Sequence, residues 1–199
     1  MHKNSALLFE KYALPLFTKK TRVLEIGPDG FPSTYRKMVP VENLVWDTTD
    51  IYDSPSLTYS KSELYKFPIA NDSYDIVISG QVIEHVERIW LWLPELARVT
   101  KPGGLVITIN PVSWPYHEAP IDCWRIFPAG MRALCEHSGL TVELCQCESL
   151  ELPHFPRALP GRSPEWQPRK IRLIFRVLGY LRMPVEKAFD TITIARKLI

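Results

Sequence analysis

Residues 22–33 read RVLEIGPDGFPS, an apolar run that takes in the carboxylate Glu25, reaches Gly27 and opens into a turn built on Pro28, Gly30 and Pro32. In an open α/β sheet a parallel strand ends at the ligand crevice, where the next helix offers unpaired backbone N–H groups. A dinucleotide loop would read G-x-G-x-x-G, its amides cradling a pyrophosphate. Here Asp29 stands where the second glycine belongs. A carboxylate at that point repels phosphate and suits a ligand carrying positive charge.

Outward from this turn, short apolar runs alternate with helical patterns. Strands are expected at Arg22–Ile26, 43–48, 74–79, 105–110 and 141–147, with a last one at 191–195, TITIA. Helices are expected at 90–100 and 128–138. DIVIS and LVITI are apolar at nearly every position, as strands are when helices cover both faces of a parallel sheet. The alternation predicts one doubly wound α/β domain over residues 1–199. The opening MHKNSALLFEKYALPLF resembles a signal peptide superficially, but Glu10 and Lys11 interrupt its apolar core and no small-residue cleavage site follows. It reads as an amphipathic helix within residues 1–20, capped near Asn4 or Ser5 and disturbed at Pro15.

The 199 residues suffice for one domain with a full core, and 46% hydrophobic with 23% charged residues is ordinary globular composition. A net charge of +2 gives no electrostatic case for nucleic acid. No apolar run approaches the roughly 18 residues of a membrane span. Cys123, Cys135, Cys145 and Cys147 form neither a CxxC pair nor a disulfide framework. They read as small buried hydrophobes of a reducing cytoplasm, with Cys145 and Cys147 on one face of a strand.

Residues 151–187 differ from what precedes them, with six prolines and, from Arg157 on, eight basic side chains opposed only by Glu165 and Glu186. Within them KIRLIFRVLGYL suits a short amphipathic helix. Lying between the last two strands, this is an insertion into one domain. It reads as a solvated cover for the sheet edge, a lid over the acceptor, or a peripheral contact of 157–187 with an anionic membrane surface.

Three later signals occur in order: FPIANDSYD running into IVIS, then IEHV, then TKPGG leading into LVITI. Together with the first turn they resemble the class I S-adenosylmethionine-dependent methyltransferases, and among them the type 11 group, from Arg22 to about Leu140. The resemblance implies a Rossmann-like, doubly wound, mostly parallel seven-stranded sheet, with the insertion before its last strand, and S-adenosylmethionine as cofactor. It implies that Glu25 and Gly27 hold the methionine part, with Gly30 supplying close backbone approach from a shifted position. The acid that takes the ribose hydroxyls is Asp47 or Asp50, and TDI favours Asp50. Glu63 and Leu64 fall at the adenine edge, and Gln81 where the chain passes under the cofactor.

After the fifth family strand comes NPVSWPYHEAPIDCWRIFP, and similar family members carry a YHxxPxDxWRF-like segment there, matched by Tyr116, His117, Pro120, Asp122, Trp124, Arg125 and Phe127. A hydroxyl acceptor must lose a proton, which a histidine can take. His117 is the candidate base and His85 the second, each with a purely structural alternative, and Asp122 and Arg125 could simply pair with each other. Neither Glu84–His85 nor His117–Asp122 has the spacing of a recognised metal motif, so no catalytic metal is expected. The expected acceptor is a small molecule or a saccharide-linked group. The rival is a non-catalytic Rossmann-like module with a degenerate cofactor site.

Overall fold

Valine, isoleucine and leucine fill β1 (Arg22–Ile26), the middle of β3 (Tyr74–Gly80) and the second half of β4 (Thr100–Pro111), and nearly all of these side chains are buried. With β2 (Val45–Thr49), β5 (Leu140–Glu148) and β6 (Asp190–Lys197) they form one sheet in the order β2-β1-β3-β4-β6-β5. The computed structural model describes residues 3–118, 120–151, 173–174, 177–178, 180–181 and 188–198. β2, β1, β3 and β4 run parallel, and β6 lies antiparallel between β4 and β5.

Each strand read from the sequence is present, and the sheet is mostly parallel, as expected. The expectation of seven strands is corrected to six among the described residues. The free edge of β2 carries only a single parallel bridge, Thr49 to Tyr59. Residues 58–62, TYSKS, lack an apolar face, and Lys61 sits at φ +52°, which ends extended backbone. The segment is held instead by Tyr59 N–H to the Thr48 carbonyl (2.9 Å), Ser62 N–H to the Asp50 carbonyl (3.0 Å) and a Thr49–Ser62 hydroxyl contact of 2.5 Å.

Alternation along the strands divides the core in two. Leu24, Ile26, Val77 and Val106 face α3 (Ile89–Val99) and α4 (Pro128–His137) with Trp92, Leu96 and Met131. Val23, Ile76, Ile78, Ile107 and Ile109 face the N-terminal helix, with Leu8, Phe9 and Tyr35. That helix begins as α1 (Lys3–Leu8), widens over Phe9–Ala13 and ends in a tight turn, Leu14–Leu16, around Pro15. Asn4 and Ser5 do not cap it. Both are wholly buried inside it. Asn4 Nδ2 donates to Asp190 Oδ2 (2.6 Å) and the Glu148 carbonyl (3.0 Å), Asn4 Oδ1 accepts from Leu150 N–H (2.7 Å), and Ser5 shares a 2.8 Å bond with the Tyr35 hydroxyl. They dock the helix onto the far strands.

The FPIANDSYD loop is anchored from α3. Glu95 Oε1 accepts from Phe67 N–H (2.6 Å) and from Arg98 Nη2 (2.6 Å), while Arg98 Nη1 donates to the Ile69 carbonyl (2.8 Å) and to Asn71 Oδ1 (2.6 Å). Removing one partner of such a half-buried pair strands the other and frees the loop. Arg98→Ala is therefore expected to lower unfolding stability by about 2 kcal/mol, measured by urea melts, whereas Arg132→Ala, which loses one backbone contact (2.8 Å to the Cys145 carbonyl), should lose less.

Among the described residues no helix is long and apolar enough to cross a membrane. All four cysteines are free thiols; Cys135 and Cys145 are buried, Cys147 half-buried and Cys123 exposed. In the 151–187 segment, Leu173, Ile174, Val177, Leu178 and Tyr180 are helical, inside the stretch read as a helix. Its six prolines and all its basic side chains lie outside the described residues.

Candidate active site

Four loops leave the C-terminal edge of the parallel strands, and most of the candidate residues stand on them. The first follows β1. Gly27 lies at φ +68°, and a Cβ there would come within 2.5 Å of Val82 Cγ2, so the turns after β1 and β3 touch at a point where only glycine fits. Its N–H reaches the Thr49 carbonyl (3.0 Å), carrying the ladder to β2. Asp29, read as facing a positively charged ligand, is exposed and turned onto Thr34, accepting from its N–H (2.8 Å) and its hydroxyl (2.6 Å). Around Gly30 there is open space, the nearest atom to an added Cβ being the Pro32 carbonyl oxygen at 3.9 Å. The loop closes at Ser33, which caps α2 (Thr34–Met38) by accepting from Arg36 N–H (3.0 Å).

Glu25 is buried behind this loop. Its Oε2 accepts from Ser33 Oγ (2.5 Å) and Trp46 Nε1 (2.8 Å), so the carboxyl braces the loop against β2. Burial pushes its pKa up to about 7, outweighing the two hydrogen bonds that lower it. A carboxyl whose pKa is raised on folding adds stability below its unfolded pKa and loses that contribution as pH rises through the folded value. Relative to wild type, Glu25→Gln should therefore gain about 2 kcal/mol between pH 4.5 and pH 8. Urea melts of both proteins at the two pH values check this, and a constant difference would contradict it.

Asp47 and Asp50 part company. Asp47 Oδ2 accepts from Arg22 Nη2 (3.1 Å) and the Tyr74 hydroxyl (2.8 Å), groups at the starts of β1 and β3. Its carboxylate serves the sheet. Asp50 follows the last residue of β2, at the crevice edge, with Oδ1 accepting from Tyr52 N–H (3.1 Å). The Ser62 N–H to Asp50 carbonyl bond (3.0 Å) brings Glu63, which is exposed, beside it, while Leu64 packs on the core.

Across the crevice stand Gln81, Glu84, His85 and His117. Gln81 sits at φ +60° and donates through Nε2 to buried Asp190 (3.1 Å), so its side chain crosses toward β6. His85 ends the short turn Ile83–His85. Loop 121–124 is stitched onto that turn: Cys123 N–H donates to the Glu84 carbonyl (2.7 Å), Trp124 Nε1 to the Val86 carbonyl (2.9 Å), and His85 Nδ1 bonds the Ile121 carbonyl. Burial lowers the pKa of His85. His117 is half-exposed, its Nδ1 3.1 Å from the Pro115 carbonyl and 3.4 Å from Asp122. Asp122 and Arg125 do pair, through two contacts of 2.5 and 2.6 Å, and Asp122 also accepts from His117 N–H (2.8 Å). The two imidazole rings meet edge to face at 4.9 Å. Beneath them lies Glu84, wholly buried, its pKa pushed by burial up to about 8. Sequence reading weighed Glu84 only as the neighbour of His85 in IEHV and did not make it a candidate site residue.

The model of the methyltransferase domain family matches residues 40–108, a segment that takes in Asp50, Glu63, Gln81 and His85 and leaves out the first turn and His117. A Mycobacterium bovis protein described as an uncharacterized methyltransferase is 58% identical over 40 residues, which are 20% of this chain and 16% of that protein. This chain thus matches less than a fifth of the length of that relative. In fold it is similar to an S-adenosylmethionine-dependent methyltransferase of Archaeoglobus fulgidus, with a TM-score of 0.62 and 19% identity over 97% of this chain and 92% of the other. It is also similar to Haemonchus contortus phosphoethanolamine N-methyltransferase 2 in complex with S-adenosyl-L-methionine, with a TM-score of 0.61 and 14% identity over 98% of this chain and 52% of that one.

Proposed function

We propose that the chain transfers a methyl group from S-adenosylmethionine to a small-molecule or saccharide-linked acceptor, a reading supported by the match of residues 40–108 to the methyltransferase domain family. The observation that carries this reading is the division of the crevice. The Gly27 turn, Asp50 and Glu63 stand at the ends of β1 and β2, while His85 and His117 stand beyond β3 and β4.

The residues present fit such a cofactor. Asp50 offers a carboxylate for two vicinal ribose hydroxyls, a pairing that a neutral side chain matches poorly. Gly27 presents backbone without a side chain, and Asp29, turned onto Thr34, does not fill the turn. Glu63 and Leu64 flank the adenine edge; Gly30 and Gln81 act through backbone, and Glu25 by bracing the loop. When bound, S-adenosylmethionine supplies an electrophilic methyl on a sulfonium. The chain's part is alignment, together with removal of the acceptor's proton at the His117–His85 pair. Asp122 orients His117 while Arg125 neutralises Asp122, keeping the imidazole in place.

The test is transfer of label from methyl-labelled S-adenosylmethionine to saccharide-linked hydroxyls and to small hydroxyl and amine acceptors. Labelled acceptor with matching S-adenosylhomocysteine is the expected result. Cofactor binding with no transfer to any of these classes would favour a non-catalytic module.

A further inference from the structure

Glu84 is the anomaly of the molecule. Its side chain is 0% exposed, and neither carboxylate oxygen has a hydrogen-bond partner among the described residues. Buried carboxyls are ordinarily paired or hydrogen-bonded, because stranding one in the interior is costly. Directly above it, one ligand atom from each of Glu84, His85 and His117 lies within 4.8 Å of the other two, the one such grouping among the described residues. The His85 Nε2 to Glu84 Oε1 distance is 3.8 Å. Donor atoms around a tetrahedral zinc-sized ion stand about 3.4 Å apart, so a small inward movement of the His117 loop completes the set.

The geometry points to a binding site for one divalent cation held by Glu84, His85 and His117. Both imidazoles are prepared as metal ligands are. His85 spends Nδ1 on the Ile121 carbonyl, and His117 spends Nδ1 on the Pro115 carbonyl beside Asp122. Such bonds fix the tautomer and leave Nε2 as the lone-pair nitrogen. Two imidazoles and one carboxylate suit first-row transition cations such as Zn²⁺, Co²⁺ or Mn²⁺ over Mg²⁺ or Ca²⁺, which prefer all-oxygen sets. Three protein ligands leave coordination positions open on the half-exposed His117 side. The spacing of 32 residues between His85 and His117 is why no motif announces the site and why no catalytic metal is expected from the sequence.

Resting on the methyl-transfer reading, the cation takes the role of acceptor activator. With the cation bound, an acceptor hydroxyl held at an open coordination position would be acidified and would give its proton to solvent, and proton removal at the His117–His85 pair would belong to the metal-free chain.

The test uses tag-free, full-length protein stripped with chelator at pH 7.5. Co²⁺ is titrated by calorimetry and by its visible absorption, and S-adenosylhomocysteine is titrated separately on the same samples. One Co²⁺ per chain with a nitrogen-ligated visible spectrum is expected, weakened at least about hundredfold in Glu84→Gln and His117→Gln. S-adenosylhomocysteine affinity should stay within about twofold in both variants. Should Glu84→Gln fail to fold, His117→Gln, on an exposed loop, carries the comparison. Absence of Co²⁺ uptake, or uptake unchanged in the folded variants, overturns the site. Co²⁺ uptake without S-adenosylhomocysteine binding leaves the cation site standing and removes the methyl-transfer reading.

Discussion

Asp50→Ala should weaken S-adenosylhomocysteine binding roughly tenfold to a hundredfold, and Asp47→Ala should leave it within about twofold. A charge-assisted hydrogen bond contributes about 1.5–3 kcal/mol, which sets the first figure. The second follows from where the carboxylates point. Asp47 is engaged by Arg22 and Tyr74 at the opposite end of the strands, so its loss is expected in stability, by about 1–2 kcal/mol. Asp50 follows directly on β2, where the crevice opens. Calorimetric titration and urea melts on both variants separate the two roles. Weakened binding in Asp47→Ala alone would shift the ribose acid to the other side chain.

Gly80→Ala should destabilise the fold by about 3 kcal/mol, a fall of roughly 6–12 °C in Tm for a chain of this size. An added Cβ would come within 2.0 Å of the Tyr35 hydroxyl and 2.6 Å of its ring. Tyr35 has little room to yield. It is 4% exposed, its ring lies 4.6 Å from Phe9, and its hydroxyl is bonded to Ser5 at 2.8 Å. The methyl group must therefore push the ring off the N-terminal helix or shift the end of β3. Because the clash is with one side chain, Gly80→Ala and Tyr35→Ala should be non-additive. The double variant should be at least about 1 kcal/mol more stable than the sum of the two losses implies. Additive losses would mean that the backbone, rather than Tyr35, absorbs the strain.

The sheet was legible because buried parallel strands are written as unbroken apolar runs, and DIVIS and LVITI allow no other placement. The pairing of β6 between β4 and β5 was not, since an antiparallel last strand follows from long-range packing that local periodicity does not carry. Asn4 and Ser5 resembled caps because capping is a local rule. Their actual partners, Asp190, Glu148 and Tyr35, are up to 186 residues away. At the site, TDI pointed to Asp50, which stands directly after β2 at the crevice, while the engagement of Asp29 by Thr34 depends on how the turn folds and could not be read. The juxtaposition of His85 and His117 could not be read at all. It is produced by loop 121–124 docking on the Ile83–His85 turn through bonds accepted by backbone carbonyls, so the identities of His85 and Trp124 do not name their partners. The one available signal was the glutamate beside the histidine in IEHV.

Calorimetric titration of the full-length, unsubstituted chain with S-adenosylhomocysteine tests the cofactor crevice most directly, because it needs no knowledge of the acceptor. One site per chain with a micromolar dissociation constant is the expected result; no heat and no thermal stabilisation at millimolar S-adenosylhomocysteine would contradict it.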